Sequence, residues 1–408
     1  MVYLLLGDPN TKMEPPAWAA CKSSVCKSGK PSAARLDTHM PKNAGRPASP
    51  RAMVVSVRHN SILSNTSRPA YQAATLPPEV PRQPFVDVFR FNDELDMLEY
   101  RLRLMSPIVD TFAVVECDVT DSGAPKMLHA HQLLMSRAGS IAPSRALHLN
   151  LPGGEATGLI TEVVLREPAA KVVLLNLSVR SIDVARHFKH TLAFSRELVI
   201  RKFMTFFVGR SFPQSRVLVA DVDELLDPGL GAASFQQHSS CIRPRLRHYW
   251  FGEHCVKVTP AGKTSKGWTQ PLIVDTGSPW FGRIRRELVI LRHEWGTENH
   301  YKDCWAPPAM MGWHFSYAMD TNRVMQKLKG FSHSDDMQVR KFVNGTAAQV
   351  RRRIEERVGT CTHFFATTVH PGLAYRRTPY DGQLPALKGW PRHPLAPTFD
   401  YAFQNRSK

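Results

Sequence analysis

The sequence predicts a layered α/β fold, and three stretches carry that prediction. In Arg216–Pro228 an apolar run from Val217 to Ala220 breaks into Asp221, Val222, Asp223 and Glu224, the pattern of a buried strand closing in a turn. Lys171–Val179 is a second apolar run of strand character. Between them, residues 183–207 read as a helix carrying Phe188, Leu192, Leu198 and Phe203. Alternating strands and helices build a sheet covered by helices.

The elements follow in order. Residues 1–83 are rich in Pro, Ser, Ala, Lys and Arg and show no sustained hydrophobic period. They read as a disordered basic tail, with too little apolar surface to offset chain entropy, or as an acid-poor targeting leader. Order is expected from Phe85, where FVDVFRF is a strand. Asn92 or Asp93 is placed to cap a helix whose buried face is Leu95, Leu98, Leu102 and Met105, ended by Pro107. Ile108–Val115 is a second strand closing on Glu116, followed by a turn-rich loop (Ser122, Gly123, Pro125) and Lys126. A base after such a loop either faces a diphosphate or is solvated. Tyr249, Trp250 and Phe251 suit a strand beside the acidic turn. Trp268, Trp280, Phe281 and Trp295 offer aromatic area for a glycan groove or for core packing. Val350–Val358, with Arg351, Arg352, Arg353 and Arg357, is a solvated helix face.

The chain has 408 residues, 53 Lys+Arg and 35 Asp+Glu, for a net charge of +18. That favours anionic partners. No basic block with interleaved aromatics points to nucleic acid, and no run approaches the roughly 20 apolar residues of a membrane span. Val2–Leu6 is too short for a signal-peptide core. Seven cysteines include no C-x-x-C pair, which speaks against zinc; Cys241 and Cys255 are a candidate disulfide pair. Asn65, Asn176, Asn344 and Asn405 each open an N-x-S/T sequon.

Chemistry concentrates at the acidic turn. Burying a carboxylate is costly unless it is paired or bound to a metal. Asp221 and Asp223, two apart at a strand end, are placed to share one Mn²⁺ or Mg²⁺, hard cations that leave coordination sites for substrate phosphate. His314 and His333 are either hydrogen-bonded core histidines or further metal or phosphate ligands. Asp335 and Asp336 are either a catalytic base or the cap of a helix over Met337–Val343.

Several motifs, in order, resemble glycosyltransferase family 17. Phe91 to Leu102, Glu116, Thr120, Ser122, Gly123 and Lys126 match its opening F-N-N-E-L-D-x-L-E-x-R-L and V-I-V-E-S-x-x-T-x-S-G-x-x-K. VADVDELLDP resembles its D-V-D-E-I-P, and Arg196 and Arg201 stand where it has a Q-R-x-x-x-x-R helix. MGWHFSYAMDTNRVMQKLKGFSHSDDM resembles G-G-W-H-F-S-Y and its F-S-H-T-E segment, and TPYDGQLPALKGWPRHPL its close. The resemblance spans roughly residues 85–396, with divergence over 229–300. Cys117, Leu225, Leu226, Met311 and Asp335 depart from the pattern without removing the acids.

The resemblance implies a GT-A-like single domain over residues 84–400, a central mixed sheet flanked by helices, with 401–408 as a tail. It implies a metal-dependent inverting transfer of N-acetylglucosamine from UDP-GlcNAc to a mannose-containing N-glycan. Asp221 and Asp223 would hold Mn²⁺ or Mg²⁺. Glu116, Lys126, Arg196, Arg201 and Trp313 would bind substrate. Asp335, ahead of Asp336 and Glu224, would be the base. The family's animal members are Golgi proteins with an N-terminal anchor, which this sequence does not display. Two rival readings keep the same acids: a HAD-type phosphatase with Asp221 as nucleophile, and a glycan-binding relative without turnover.

Overall fold

The structure, a computed structural model, describes residues 83–151, 154–178, 192–230, 235, 239–251, 255–258, 267–286, 304–364 and 374–377. The predicted tails up to residue 82 and from 401, and Arg186, Phe188, Trp295, Asn65 and Asn405, lie outside these residues.

In chain order the elements are β1 (Phe85–Phe91), α1 (Leu95–Met105), β2 (Thr111–Cys117), α2 (His129–Ser136), β3 (Ala138–Ile141), β4 (Arg145–Leu151), β5 (Gly154–Leu165) and β6 (Lys171–Ser178). Then come α3 (Leu192–Ser211), β7 (Arg216–Asp221), β8 (Glu224–Leu226), β9 (Cys241–Ile242), β10 (Arg245–Trp250), β11 (Cys255–Val258), β12 (Leu272–Asp275) and α4 (Pro279–Arg286). β13 (Met310–Ser316), α5 (Thr321–Gly330), α6 (Met337–Val343), α7 (Ala347–Gly359) and β14 (Ala374–Arg377) complete the described chain.

The architecture is α/β with a large mixed sheet. Its centre is four parallel strands in the order β6-β2-β1-β7, extended by antiparallel β5 on one side and by β12 and β9 on the other. Side chains of a strand alternate between faces, and both faces here are apolar. Phe85, Phe89, Phe112, Val114, Leu218 and Ala220 pack with the buried stripe of α1. Val86, Val88, Ala113, Val115, Val217 and Val219 pack with Val199, Ile200 and Phe203 of α3 and Phe281 and Ile284 of α4. Helices on both faces explain why the parallel strands read as continuous apolar runs. A second sheet runs β14-β11-β10-β13-β8.

Three local expectations need correction. Neither Asn92 nor Asp93 caps α1: Glu94 holds the cap position without a side-chain cap bond, and the Asp93 carbonyl receives the Leu95 amide. The second strand starts at Thr111, because Ile108 and Val109 both donate back to the Met105 carbonyl and close the helix in a tight turn. Cys241 and Cys255 are not partners, since they lie in different sheets; the disulfides are Cys241–Cys304 and Cys255–Cys361. The helix foreseen over 183–207 is observed from Leu192 to Ser211, with residues 179–191 outside the described set.

Candidate active site

The acidic turn is the joint between the two sheets. β7 ends in the large sheet at Asp221, Val222 and Asp223 turn, and β8 begins at Glu224 in the second sheet. The turn is held from several sides: the Phe315 amide of β13 donates to the Asp223 carbonyl at 2.9 Å, and a buried arginine takes the other carbonyls. Arg101 of α1 is fully buried and pairs with Asp87 of β1, Nε donating to Oδ2 at 2.8 Å. Its Nη1 donates to the carbonyls of Asp221 (2.9 Å), Val222 (3.2 Å) and Glu224 (2.6 Å). One guanidinium thus satisfies three peptide oxygens that would otherwise be hard to pair inside the protein. From below, Glu224 accepts the Asp221 amide at 2.7 Å and the Trp268 indole N–H.

Above the turn lies a solvent-open cavity, about 480 Å³ when the space open to solvent is included. Glu94, Asp121, Glu197, Asp221 and Asp223 line it, together with Arg90, Arg201 and Lys327. Five carboxylates face three cations, an excess of two negative charges when all are ionised. The cations are engaged: Arg90 with Asp121, Arg201 with Glu197 and, at 3.2 Å, Asp221, Lys327 with Glu94 and, at 3.6 Å, Asp223. Burial opposes the charge on Lys327, but Glu94 and Asp223 prevail and hold its pKa up. Burial likewise works against Glu197, yet Arg201 and Arg90 draw it down to about 2. Asp121 and Asp223 go the other way: burial raises Asp121 against the pull of Arg90. Burial raises the Asp223 pKa to about 7, Asp221, Glu94 and Glu224 push the same way, and Lys327 only partly offsets them. Its Oδ1 is buried without a hydrogen bond among the described residues, the nearest imidazole nitrogen, His314 Nε2, standing at 3.7 Å.

The other sequence-predicted residues fall into four groups. Arg201 lines the cavity beside Asp221 and Asp223. Arg196 stands next to it, donating to the Asp121 carbonyl at 2.8 Å; its guanidinium occupies the space a side chain on Gly123 (φ +90°) would need. His314 sits behind Asp223, 4.4 Å from the Trp268 ring and 4.5 Å from His248, and Trp313 is in the core. Lys126 and Glu116 form a buried pair under the site. Lys126 donates to the Asn92 carbonyl, and Glu116 accepts the amides of Ala130 and His131 at the start of α2. Glu224 is the underside of the turn. Asp335 accepts from Arg340 (3.1 Å) and the Ala193 amide (3.4 Å), Asp336 holds the cap position of α6 and faces His333 (3.2 Å), and none of these three lines the cavity.

Compared with known proteins, the chain is 30% identical over 95 residues to β-1,4-mannosyl-glycoprotein 4-β-N-acetylglucosaminyltransferase from rat, from human and from mouse. The match takes in 22% of this chain and 18% of each relative. The likeness indicates a glycosyltransferase relationship. No family model matches the chain, and no solved structure matches it. Among the described residues no helix is long and apolar enough to cross a membrane.

Sequence reasoning missed Arg90, Glu94, Asp121, Glu197 and Lys327. Glu197 and Arg201 carried a signal, an i,i+4 acid–base pair on one helix face. Arg90 carried another, a cation inside an otherwise apolar strand. Lys327 carried none, since only the fold returns α5 to the turn.

The raised Asp223 pKa has a thermodynamic consequence. A carboxyl that holds its proton more tightly when folded contributes stability below its ordinary value of 3.8, and that contribution is lost as pH rises through about 7. Asp223→Asn removes the ionisation. Its unfolding free energy therefore exceeds wild type at pH 8 by more than at pH 5, which urea titrations at the two pH values measure.

Proposed function

We propose that this chain is a metal-dependent inverting glycosyltransferase, transferring N-acetylglucosamine from UDP-GlcNAc to a mannose-containing N-glycan. The observation that carries the reading is the clamped acidic turn at the floor of a cavity with surplus negative charge. A diphosphate entering such a cavity would be repelled unless a cation came with it. The orphaned Asp223 Oδ1 and the neighbouring Asp221 carboxylate fit a hard divalent ion, Mn²⁺ or Mg²⁺. Among the described residues no group of three or more acids, histidines or cysteines is gathered for a metal. A Mg²⁺-type site does not need one, because one or two carboxylates plus substrate phosphate and water complete it. Bound there, the ion supplies Lewis-acid stabilisation of the departing diphosphate.

The chain's own residues do the rest. Arg101 holds the turn so that both carboxylates are presented without rearrangement, the preorganisation on which electrostatic catalysis depends. Arg90, Arg201 and Lys327 set fixed positive charge on the cavity wall, where a diphosphate can exchange for their present carboxylate partners. A shallow adjoining depression shares Asn92, Glu94, Lys327 and Phe331 with the first and marks the side from which the acceptor would approach. The base that takes the acceptor proton has to face these cavities, and Glu94 is the carboxylate that lines both.

The test is UDP binding and UDP-GlcNAc turnover by the full chain, with and without Mn²⁺. Metal-dependent UDP binding that weakens about 100-fold or more in the Asp221→Ala/Asp223→Ala double variant is the expected result. UDP binding indifferent to Mn²⁺ and to the double substitution would sink the reading.

A further inference from the structure

Asn344, Gly345 and Thr346 form an N-x-T sequon in the turn between α6 and α7. The turn has a built shape. Asn344 leaves α6 in extended conformation, Gly345 takes φ +113°, and Thr346 caps α7 in a capping box with Gln349. That φ strains any L side chain, so glycine is required there, and a Cβ would also crowd the Gln349 Oε1 of the capping box at 2.6 Å. The backbone of Asn344 is anchored, its carbonyl accepting from Arg353. Its side chain is exposed and makes no hydrogen bond among the described residues. The amide nitrogen that would carry a sugar is therefore free, and none of the three residues lines either cavity.

A second, independent observation concerns compartment. Four of the five described cysteines are paired, as Cys241–Cys304 and Cys255–Cys361, closing separations of 63 and 106 residues. Disulfides persist in oxidising compartments and are rare in the cytosol. In eukaryotes the secretory lumen that oxidises thiols is also where sequons meet the N-glycosylation machinery.

The sequon at Asn176 makes the contrast. Asn176 lies mid-strand in β6, bonded to β2 on one side and β5 on the other. It is 9% exposed, and its amide nitrogen donates to His131 Nδ1 at 2.9 Å. A glycan there would have to displace α2 from the face of the central sheet.

We propose that Asn344 is an N-glycosylation site of this protein and that Asn176 is not. The co-reactant is an oligosaccharide carried on a lipid diphosphate, transferred by the host's oligosaccharyltransferase. The bond from Asn344 Nδ2 to the sugar's anomeric carbon forms, and the bond from that carbon to the diphosphate oxygen breaks. The bonding pair leaves with the lipid diphosphate, and one amide proton is given up to base. The glycan projects from the α6–α7 turn and leaves the cavities open.

The test is expression of the full chain behind a cleavable secretory leader in a eukaryotic host. The secreted protein is treated with peptide-N-glycosidase in heavy-oxygen water and mapped by mass spectrometry. Asn344 is expected to be converted to heavy-labelled aspartate in most molecules, with Asn176 unlabelled. Asn344→Gln, which removes no hydrogen bond of the turn's side chains, abolishes that label and leaves secretion intact. Thr346→Ser keeps both cap and sequon and so retains the label, whereas Thr346→Ala loses it. Secreted, disulfide-bonded protein with Asn344 unlabelled overturns the proposal, whether or not Asn65 or Asn405 is labelled. So does a label at Asn176 in folded protein.

Discussion

Arg101→Met is expected to lower the unfolding free energy by about 3–5 kcal/mol, the usual cost of stripping one partner from a buried ion pair. The loss has two parts that can be separated. Asp87 is fully buried, and burial already raises its pKa against the pull of Arg101. Without the guanidinium its charge has no counterpart in the core. The other part is the acidic turn, because the carbonyls of Asp221, Val222 and Glu224 lose their shared donor. The double variant Asp87→Asn/Arg101→Met removes the stranded charge and regains part of the stability. It does not restore the donor, so UDP binding stays impaired while urea unfolding recovers. Recovery of both together would mean that Arg101 serves the core alone. Arg101→Lys is expected to rescue little, since an ammonium on a flexible stem cannot bridge a carboxylate and three carbonyls as a planar fork does.

That arginine shows where the sequence stopped being readable. β1, β6 and β7 were legible as apolar runs because both of their faces are buried, and α1 because it is long enough to show the helical period of its one buried stripe. The acidic turn was legible because carboxylates at the end of an apolar strand are expensive without a purpose. Arg101 was hidden inside α1, where a cation ordinarily snorkels to water; its burial depends on Asp87 being opposite it in β1, a pairing no local pattern announces. Lys126 and Glu116 show that a matched motif does not say what a side chain faces. Both stand in matched motifs, yet they meet each other and the start of α2 under the site rather than the cavity. Asp335 and Asp336 read equally well as base or helix cap because spacing carries no information about what they face. The cysteine pairing required knowing that β9 and β11 belong to different sheets.

Gly312→Ala is expected to damage the site more than it damages the protein. Gly312 of β13 sits opposite Leu226 of β8, and a Cβ built on it would lie 1.9 Å from the Leu225 carbonyl oxygen and 2.8 Å from the Leu226 Cα. Both obstacles are backbone, so no rotamer change makes room, and the φ of Gly312 is not what demands glycine. β8 has to move. Its first residue is tied through its carbonyl to Arg101 and through its carboxylate to Asp221 and Trp268, so displacement of β8 carries the acidic turn with it. Overpacking of this kind costs roughly 1–3 kcal/mol, which a protein of this size can survive as folded material. The cavity cannot keep Asp221 and Asp223 in register with Arg201 and Lys327 after such a shift. Circular dichroism near wild type, a lowered Tm and Mn²⁺-dependent UDP binding reduced at least as far as in the Asp221→Ala/Asp223→Ala variant are the expected results. Gly139→Ala is the control, since the Cβ there meets Arg166 Cγ at 3.3 Å and the Val164 carbonyl oxygen at an ordinary contact distance of 3.4 Å, so no strand has to part. Wild-type UDP binding by Gly312→Ala would show that β8 can be displaced without disturbing the acids, and that the joint between the sheets does not set the geometry of the site.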